Sequence, residues 1–197
     1  PVIFRLEVND DGNGQAYIKT YHRSSNNSTS YEPTTSNFAY DGTTWNSLLV
    51  SIDNITGRYT LYNNGIQLLD YVFTPASFYN SSMQWEIGSF VYLGGGTNFF
   101  NGKIDDIHIW NIAVDSTQID NYINCPPIGN ETDLFGYWNF EEGSGTTAYD
   151  QTSNGNNGTI NGATYDSNVP AQSCALTNAN GCDSTAILNL TINQTDT

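Results

Sequence analysis

The sequence predicts an all-β chain, an antiparallel two-sheet β-sandwich with one short helix. Three observations predict it. Short β-branched and aromatic runs are separated by clusters of Asn, Gly, Ser and Asp, which punctuate strands rather than helices. Leu48, Val50 and Ile52 are interleaved with Ser47, Ser51 and Asp53, the two-residue period of a strand with one buried face. Finally, 13 Tyr, 9 Phe and 4 Trp in 197 residues supply the bulk of one sandwich core, with length left for a small appendage but not for a second full domain.

Taken in order, residues 2–8 form the first expected strand, residues 9–14 a turn rich in Asn, Asp and Gly, and residues 15–21 the return. The polar stretch 23–30 reads as a loop or hairpin tip. Residues 45–53, 58–62 and 66–73 form the clearest meander, with Asn63-Asn64-Gly65 supplying the positive φ angles of a tight hairpin. Strands follow at 83–87, 90–93 and 103–110. The helix is expected over 115–123. Asp115 caps it, Gln118 is the return donor, Val114 and Ile119 form a hydrophobic staple, and Pro126 follows its end. A further strand is expected at 134–140, a turn-rich segment at 150–158, and a last alternating strand at 185–192.

Charge narrows the function. Lys and Arg total 5 against 20 Asp and Glu, a formal net charge of -15. Nucleic acid binding draws on clustered basic side chains to release counterions, and no such cluster is present. An anionic membrane surface is disfavoured for the same reason, and no apolar run approaches spanning length. The acidic balance suits a protein outside the cell with divalent cations as partners. The chain opens at Pro1 in a strand-like segment without a leader, and so reads as an internal piece of a larger secreted or cell-surface protein. Cys125, Cys174 and Cys182 match no zinc spacing; they are expected to make one extracellular disulfide involving Cys174, with either Cys125 or Cys182 as its partner.

The run Leu93-Gly94-Gly95-Gly96, continued by Phe100-Asn101-Gly102-Lys103-Ile104-Asp105-Asp106-Ile107-His108-Ile109-Trp110-Asn111, resembles the closing signature of laminin-G-like, concanavalin-A-like jelly-roll domains. The Trp45 strand and the Leu61-Tyr62-Asn63-Asn64-Gly65 hairpin fit the same pattern. The resemblance covers residues 1–124 as a sandwich core. Leu134-Phe135-Gly136-Tyr137-Trp138-Asn139-Phe140-Glu141-Glu142-Gly143-Ser144-Gly145 resembles the segment that opens such domains. Residues 125–173 are therefore expected either to complete the sandwich in permuted order or to begin a truncated repeat. Asn180-Gly181-Cys182-Asp183-Ser184-Thr185 resembles short repeats of large secreted proteins of the Bacteroidetes type, and residues 174–197 are expected to be the clipped start of a following β module.

On this fold, glycoside hydrolases carry spaced carboxylates that face one cleft. The only analogue is Asp105-Asp106, and adjacent strand residues point to opposite faces, so no catalytic pair is expected. His22 and His108 lie in no nucleophile motif, and a non-enzyme follows. Calcium needs six to eight oxygen ligands, and Asp150, Asn154 and Asn156 offer them in one loop. The resemblance implies that Asp105 or Asp106 lies beside that loop. Asp10, Asp11 and Asn13 form a second candidate, although such clusters also simply make turns.

Sugar binding needs aromatic faces beside amides and carboxylates. Candidates are Tyr21, His22, Arg23, Trp85 and Phe99, with Tyr31, Phe78, Tyr79 and Phe100 behind them, whereas Trp110 and Trp138 belong to the core. Arg23 could meet an anionic sugar or pair with Glu32. Two function classes stand. One is a non-catalytic module recognising a polysaccharide or glycan for neighbouring modules of the same polypeptide. The other is a structural repeat of an extracellular fibre with no sugar ligand.

Overall fold

The computed structural model describes residues 4–23, 30–39, 41–75, 85–91, 97–114, 122 and 125–170, and the described residues hold thirteen strands. The fold is an all-β, antiparallel jelly-roll sandwich of the concanavalin-A-like type. The helix expected over 115–123 lies outside the described residues apart from Tyr122, as do Phe78, Tyr79 and the whole segment 174–197.

The first sheet is built on β2 (Gln15–Arg23). It pairs with β1 (Phe4–Asp10) from Phe4↔His22 to Asp10↔Ala16, and with the short β3 (Ser30–Tyr31) and β4 (Phe38–Ala39). The β1–β2 turn is made by its own carboxylates. Asp10 Oδ1 accepts from the Gly12 N–H at 2.8 Å, and Asp11 Oδ1 accepts from the Asn13 N–H at 2.8 Å. Asp11 Oδ2 takes the Asn37 amide at 2.9 Å. These carboxylates serve the turn, the plainer of the two roles open to the 10–13 cluster. Strand alternation buries Ala16, Ile18, Thr20 and His22 on one face of β2. Residues 33–35 run beside β2, where the Pro33 carbonyl accepts from both Thr20 N and Thr20 Oγ1.

The second sheet is the expected meander, β5 (Leu48–Asp53), β6 (Arg58–Asn63) and β7 (Ile66–Val72). Its hairpin turns as Asn63-Asn64-Gly65 requires, with φ of 49° at Asn64 and 76° at Gly65. The strand expected from residue 45 begins instead at Leu48, because residues 45–47 serve the turn: the Ser47 N–H donates to Asn64 Oδ1 at 2.8 Å. Gly57 is required where β6 begins. Its φ is 71°, and a Cβ there would lie 2.1 Å from the Phe73 carbonyl oxygen.

An aromatic stack joins the two sheets. His22 lies 4.7 Å from Tyr31 and 5.6 Å from Tyr59, both stacked, with Phe73 edge-on at 5.0 Å. Tyr59 and Leu61 are fully buried.

Downstream strands differ from expectation in their bounds. Residues 85–87 are not extended, and the hairpin there is β8 (Ser89–Val91) with β9 (Thr97–Phe99). The signature strand is confined to β10 (Ile107–Trp110), because Asp106 turns the backbone with a φ of 48°. β10 pairs antiparallel with β11 (Leu134–Trp138), so the segment after Pro127 returns directly against the signature strand. β12 (Thr147–Ala148) and β13 (Gly158–Thr159) form a last small ladder. Trp138 is buried as expected and its indole N–H donates to the Asn156 carbonyl at 3.0 Å, whereas Trp110 is half-buried. Gly136 makes room for Trp138, since a Cβ there would lie 2.5 Å from the indole ring.

Candidate functional site

Among the described residues most aromatic side chains are buried or half-buried, and Phe99 and Trp85 are the most exposed of the rest. Trp85 is 66% exposed and Phe99 76% exposed, and both belong to one end of the β8–β9 hairpin. Ser89 pairs with Phe99, and the Phe100 N–H extends the ladder to the Gly88 carbonyl at 2.8 Å. Phe99, Phe100 and Gly88 therefore meet where the hairpin opens, and Trp85 lies three residues before Gly88 in the chain. Ile104 joins them, since its Cδ1 lies 3.6 Å from the Cβ position of Gly88. The Phe100 ring reaches over Gly102, where a Cβ would stand 2.7 Å from Cε1; this glycine is needed for close approach. Ile87, Phe100 and Ile104 are all appreciably exposed. The result is an apolar, aromatic strip, with the exposed Asn101 and Glu86 next to its residues in the chain. Trp85, Phe99 and Phe100 were legible in the sequence. Ile87 and Ile104 were missed, since an isoleucine at a strand position reads as core.

The other sugar candidates are elsewhere. Tyr21 is 9% exposed, and the Arg5 guanidinium covers its ring at 5.5 Å from the centroid, as the cross-strand pairing Arg5↔Tyr21 dictates. His22 is 2% exposed within the intersheet stack, and burial holds its pKa down to about 4. Neither presents a face to a ligand, which corrects the expectation for Tyr21 and His22. Arg23 closes β2, and its side chain lies outside the described residues. Glu32, its expected ion-pair partner, instead meets Lys19 at 3.2 Å.

The loop suggested for calcium is closed on itself. Asp150 Oδ1 accepts from Tyr137 N, Thr152 N and Thr152 Oγ1 at 3.1, 3.0 and 2.9 Å. Asp150 Oδ2 accepts from Thr152 Oγ1 at 2.9 Å and Asn156 N at 2.8 Å. Asn154 and Asn156 turn their amide nitrogens to the Phe135 carbonyl at 2.9 and 3.0 Å. Burial alone would raise the Asp150 pKa, but the backbone donors of Thr152, Tyr137 and Asn156 outweigh it and hold it low. A cation needs the lone pairs that these donors occupy. Among the described residues, no group of three or more Asp, Glu, His or Cys side chains is placed to hold a metal.

Asp105 and Asp106 correct a second expectation. Neither lies in β10, and the left-handed backbone at Asp106 removes the alternation that would place them on opposite faces. Tyr137 donates its hydroxyl to Asp106 Oδ1 at 2.8 Å. Burial pushes the Asp105 carboxyl up to about 6, helped by the charges of Asp106 and Glu141. His108 is engaged as an acceptor, its Nδ1 taking the Trp110 indole N–H at 2.8 Å, and burial lowers its pKa. Beyond Tyr137, a shallow pocket of about 440 Å³ is lined by Cys125, Pro126, Pro127 and Ile128 among others, and it holds few polar groups.

Known proteins place this geometry. No curated protein matches the chain. A crystal structure of a Bacteroides ovatus protein for which carbohydrate binding is proposed superposes with a TM-score of 0.57 at 15% identity. The superposition takes in 83% of this chain and 48% of that one, so this chain spans about half the length of that protein, and the likeness is one of fold. Residues 3–120 match the Laminin_G_3 family model, described as the concanavalin A-like lectin/glucanases superfamily; with more than half of its length matched, the chain belongs to that superfamily.

Proposed function

We propose that this chain is a non-catalytic carbohydrate-binding module of a secreted or cell-surface protein, and that it holds its glycan on the strip around Trp85 and Phe99. One observation carries the reading. Two large aromatic side chains stand 66% and 76% exposed at one end of a hairpin, where keeping them in water forfeits about 1.5–3 kcal/mol of burial for a Phe-sized group. Stacking on the apolar face of a pyranose ring recovers part of that, and Asn101 and Glu86 offer partners for hydroxyls. Superfamily membership supports a sugar as the ligand.

The non-catalytic reading is supported by how the titratable groups are used. His22 is part of the intersheet stack, His108 is held by Trp110, and Asp106 is held by Tyr137. Extracellular placement is supported by the acidic balance of the chain and by cysteines whose spacing suits a disulfide rather than zinc.

Affinity electrophoresis on a polysaccharide panel tests the proposal. Trp85→Ala and Phe99→Ala are expected to weaken retardation by an amount corresponding to about 1–3 kcal/mol each, with unchanged melting temperature. Full binding by the double variant would place the ligand elsewhere. Release of reducing sugar by the purified protein would show the glucanase side of the superfamily instead.

A further inference from the structure

The chain's few cations are already engaged with its own acids. Arg5 meets Glu7 at 2.8 Å, Lys19 meets Glu32 at 3.2 Å, Arg58 meets Asp70 at 2.6 Å and Lys103 meets Asp166 at 2.9 Å. Every cationic side chain among the described residues therefore sits in an ion pair, and the fifth, Arg23, has its side chain outside them. Lys103 lies nearest the strip, one residue from Ile104, and its ammonium is committed to Asp166. Around the strip the remaining charges are acidic. Glu86 lies between Trp85 and Ile87, and Asp105 follows Ile104. The whole molecule adds a formal net charge of -15.

A uronate or sulfate group approaching the strip thus meets like charge, and among the described residues each cation is already paired with an acid. Neutral hexose or pentose rings meet no such barrier, since their hydroxyls accept from Asn amides and donate to carboxylates equally well. Resting on the carbohydrate-binding reading above, we infer that the strip selects uncharged polysaccharides and rejects polyuronates and sulfated glycans by charge. Rejection of this kind acts by repulsion, a recognised source of specificity.

The discrimination is electrostatic and so depends on salt, with a screening length of about 30 Å at ~0.01 M and about 3 Å at ~1 M. The experiment is affinity electrophoresis of the whole chain through gels containing a neutral β-glucan, a neutral galactomannan, polygalacturonate or a sulfated galactan. Parent protein and Glu86→Lys are run at low and high salt. The expected result is that at least one neutral polymer retards the parent protein while neither anionic polymer does. Glu86→Lys should gain retardation by the anionic gels at low salt, at least severalfold over the parent, and lose it at high salt. Retardation of the parent at low salt by either anionic polymer, alone or alongside a neutral one, would overturn charge selection while leaving sugar binding intact. A Glu86→Lys protein that responds to anionic gels no more than the parent would also overturn it. Retardation by none of the four polymers would remove the carbohydrate-binding reading, and this inference with it.

Discussion

Replacing Asp150 with Ala tests whether its carboxylate is a structural hub. Four donor groups converge on it, Tyr137 N, Thr152 N, Thr152 Oγ1 and Asn156 N. Tyr137 is buried, so its N–H would lose its acceptor where water has little access. A buried donor left unpaired costs about 1–3 kcal/mol, and the Thr152 and Asn156 donors, being less enclosed, recover partly through water. A loss of about 3 kcal/mol is expected, a large share of the roughly 5–15 kcal/mol that stabilises a typical domain. For a chain of this size that corresponds to a fall of roughly 6–12 °C in melting temperature.

The pH dependence has a definite sign. The folded-state pKa of Asp150 is depressed, so its contribution is present above the unfolded carboxylate value and is lost as pH falls through the folded one. Urea denaturation of parent and variant, each with and without chelator, gives the measurement. A loss below about 1 kcal/mol would refute the hub, because four satisfied donors cannot be removed that cheaply. Stabilisation of the parent by calcium, about 2.7 kcal/mol at a hundredfold excess over the dissociation constant, would show that the loop opens to a cation.

Other perturbations probe the sandwich itself. The His22 pKa is depressed to about 4, so stability should decline as pH falls from about 6.5 toward 4, and His22→Phe should flatten that decline in pH-resolved denaturation. Gly57→Ala should destabilise by more than about 2 kcal/mol in urea titration, because its Cβ would meet the Phe73 carbonyl and its φ of 71° disfavours any side chain. Unreduced peptide mapping is expected to recover a disulfide that includes Cys174, with Cys125 or Cys182 as its partner, and a Cys125–Cys182 peptide would refute it.

Turns and the meander were legible because their signals are local. Asn64-Gly65 demands positive φ angles wherever it occurs, and β5 to β7 follow from it. Trp138 was legible as core for its bulk, though its reliance on Gly136 was not, because that contact depends on where the indole folds back. Tyr21 and His22 misled because β2 is paired on both sides along its length. Ends of central strands are covered by neighbours distant in sequence, here Tyr59 and Phe73. Asp150 misled for a different reason. The residue types that bind calcium also accept backbone N–H groups, and those donors carry no signature in the sequence. Strand alternation failed at Asp105-Asp106 because one left-handed residue resets the facing of the chain.

The contrast between Trp85 and Trp138 gives the chain two optical reporters with separate addresses. Trp138 is tied through its indole N–H to the Asn156 carbonyl, inside the loop organised by Asp150, so its emission tracks the integrity of that loop. Trp85 stands in water beside the strip, open to collisional quenchers such as iodide or acrylamide. A glycan seated on the strip would shield Trp85 while leaving the Trp138 environment unchanged. Acid unfolding of the Asp150 loop would move the Trp138 signal before any change at the strip. With Trp45 and Trp110 replaced by Phe, steady-state fluorescence can therefore separate occupancy of the surface from loosening of the fold beneath it.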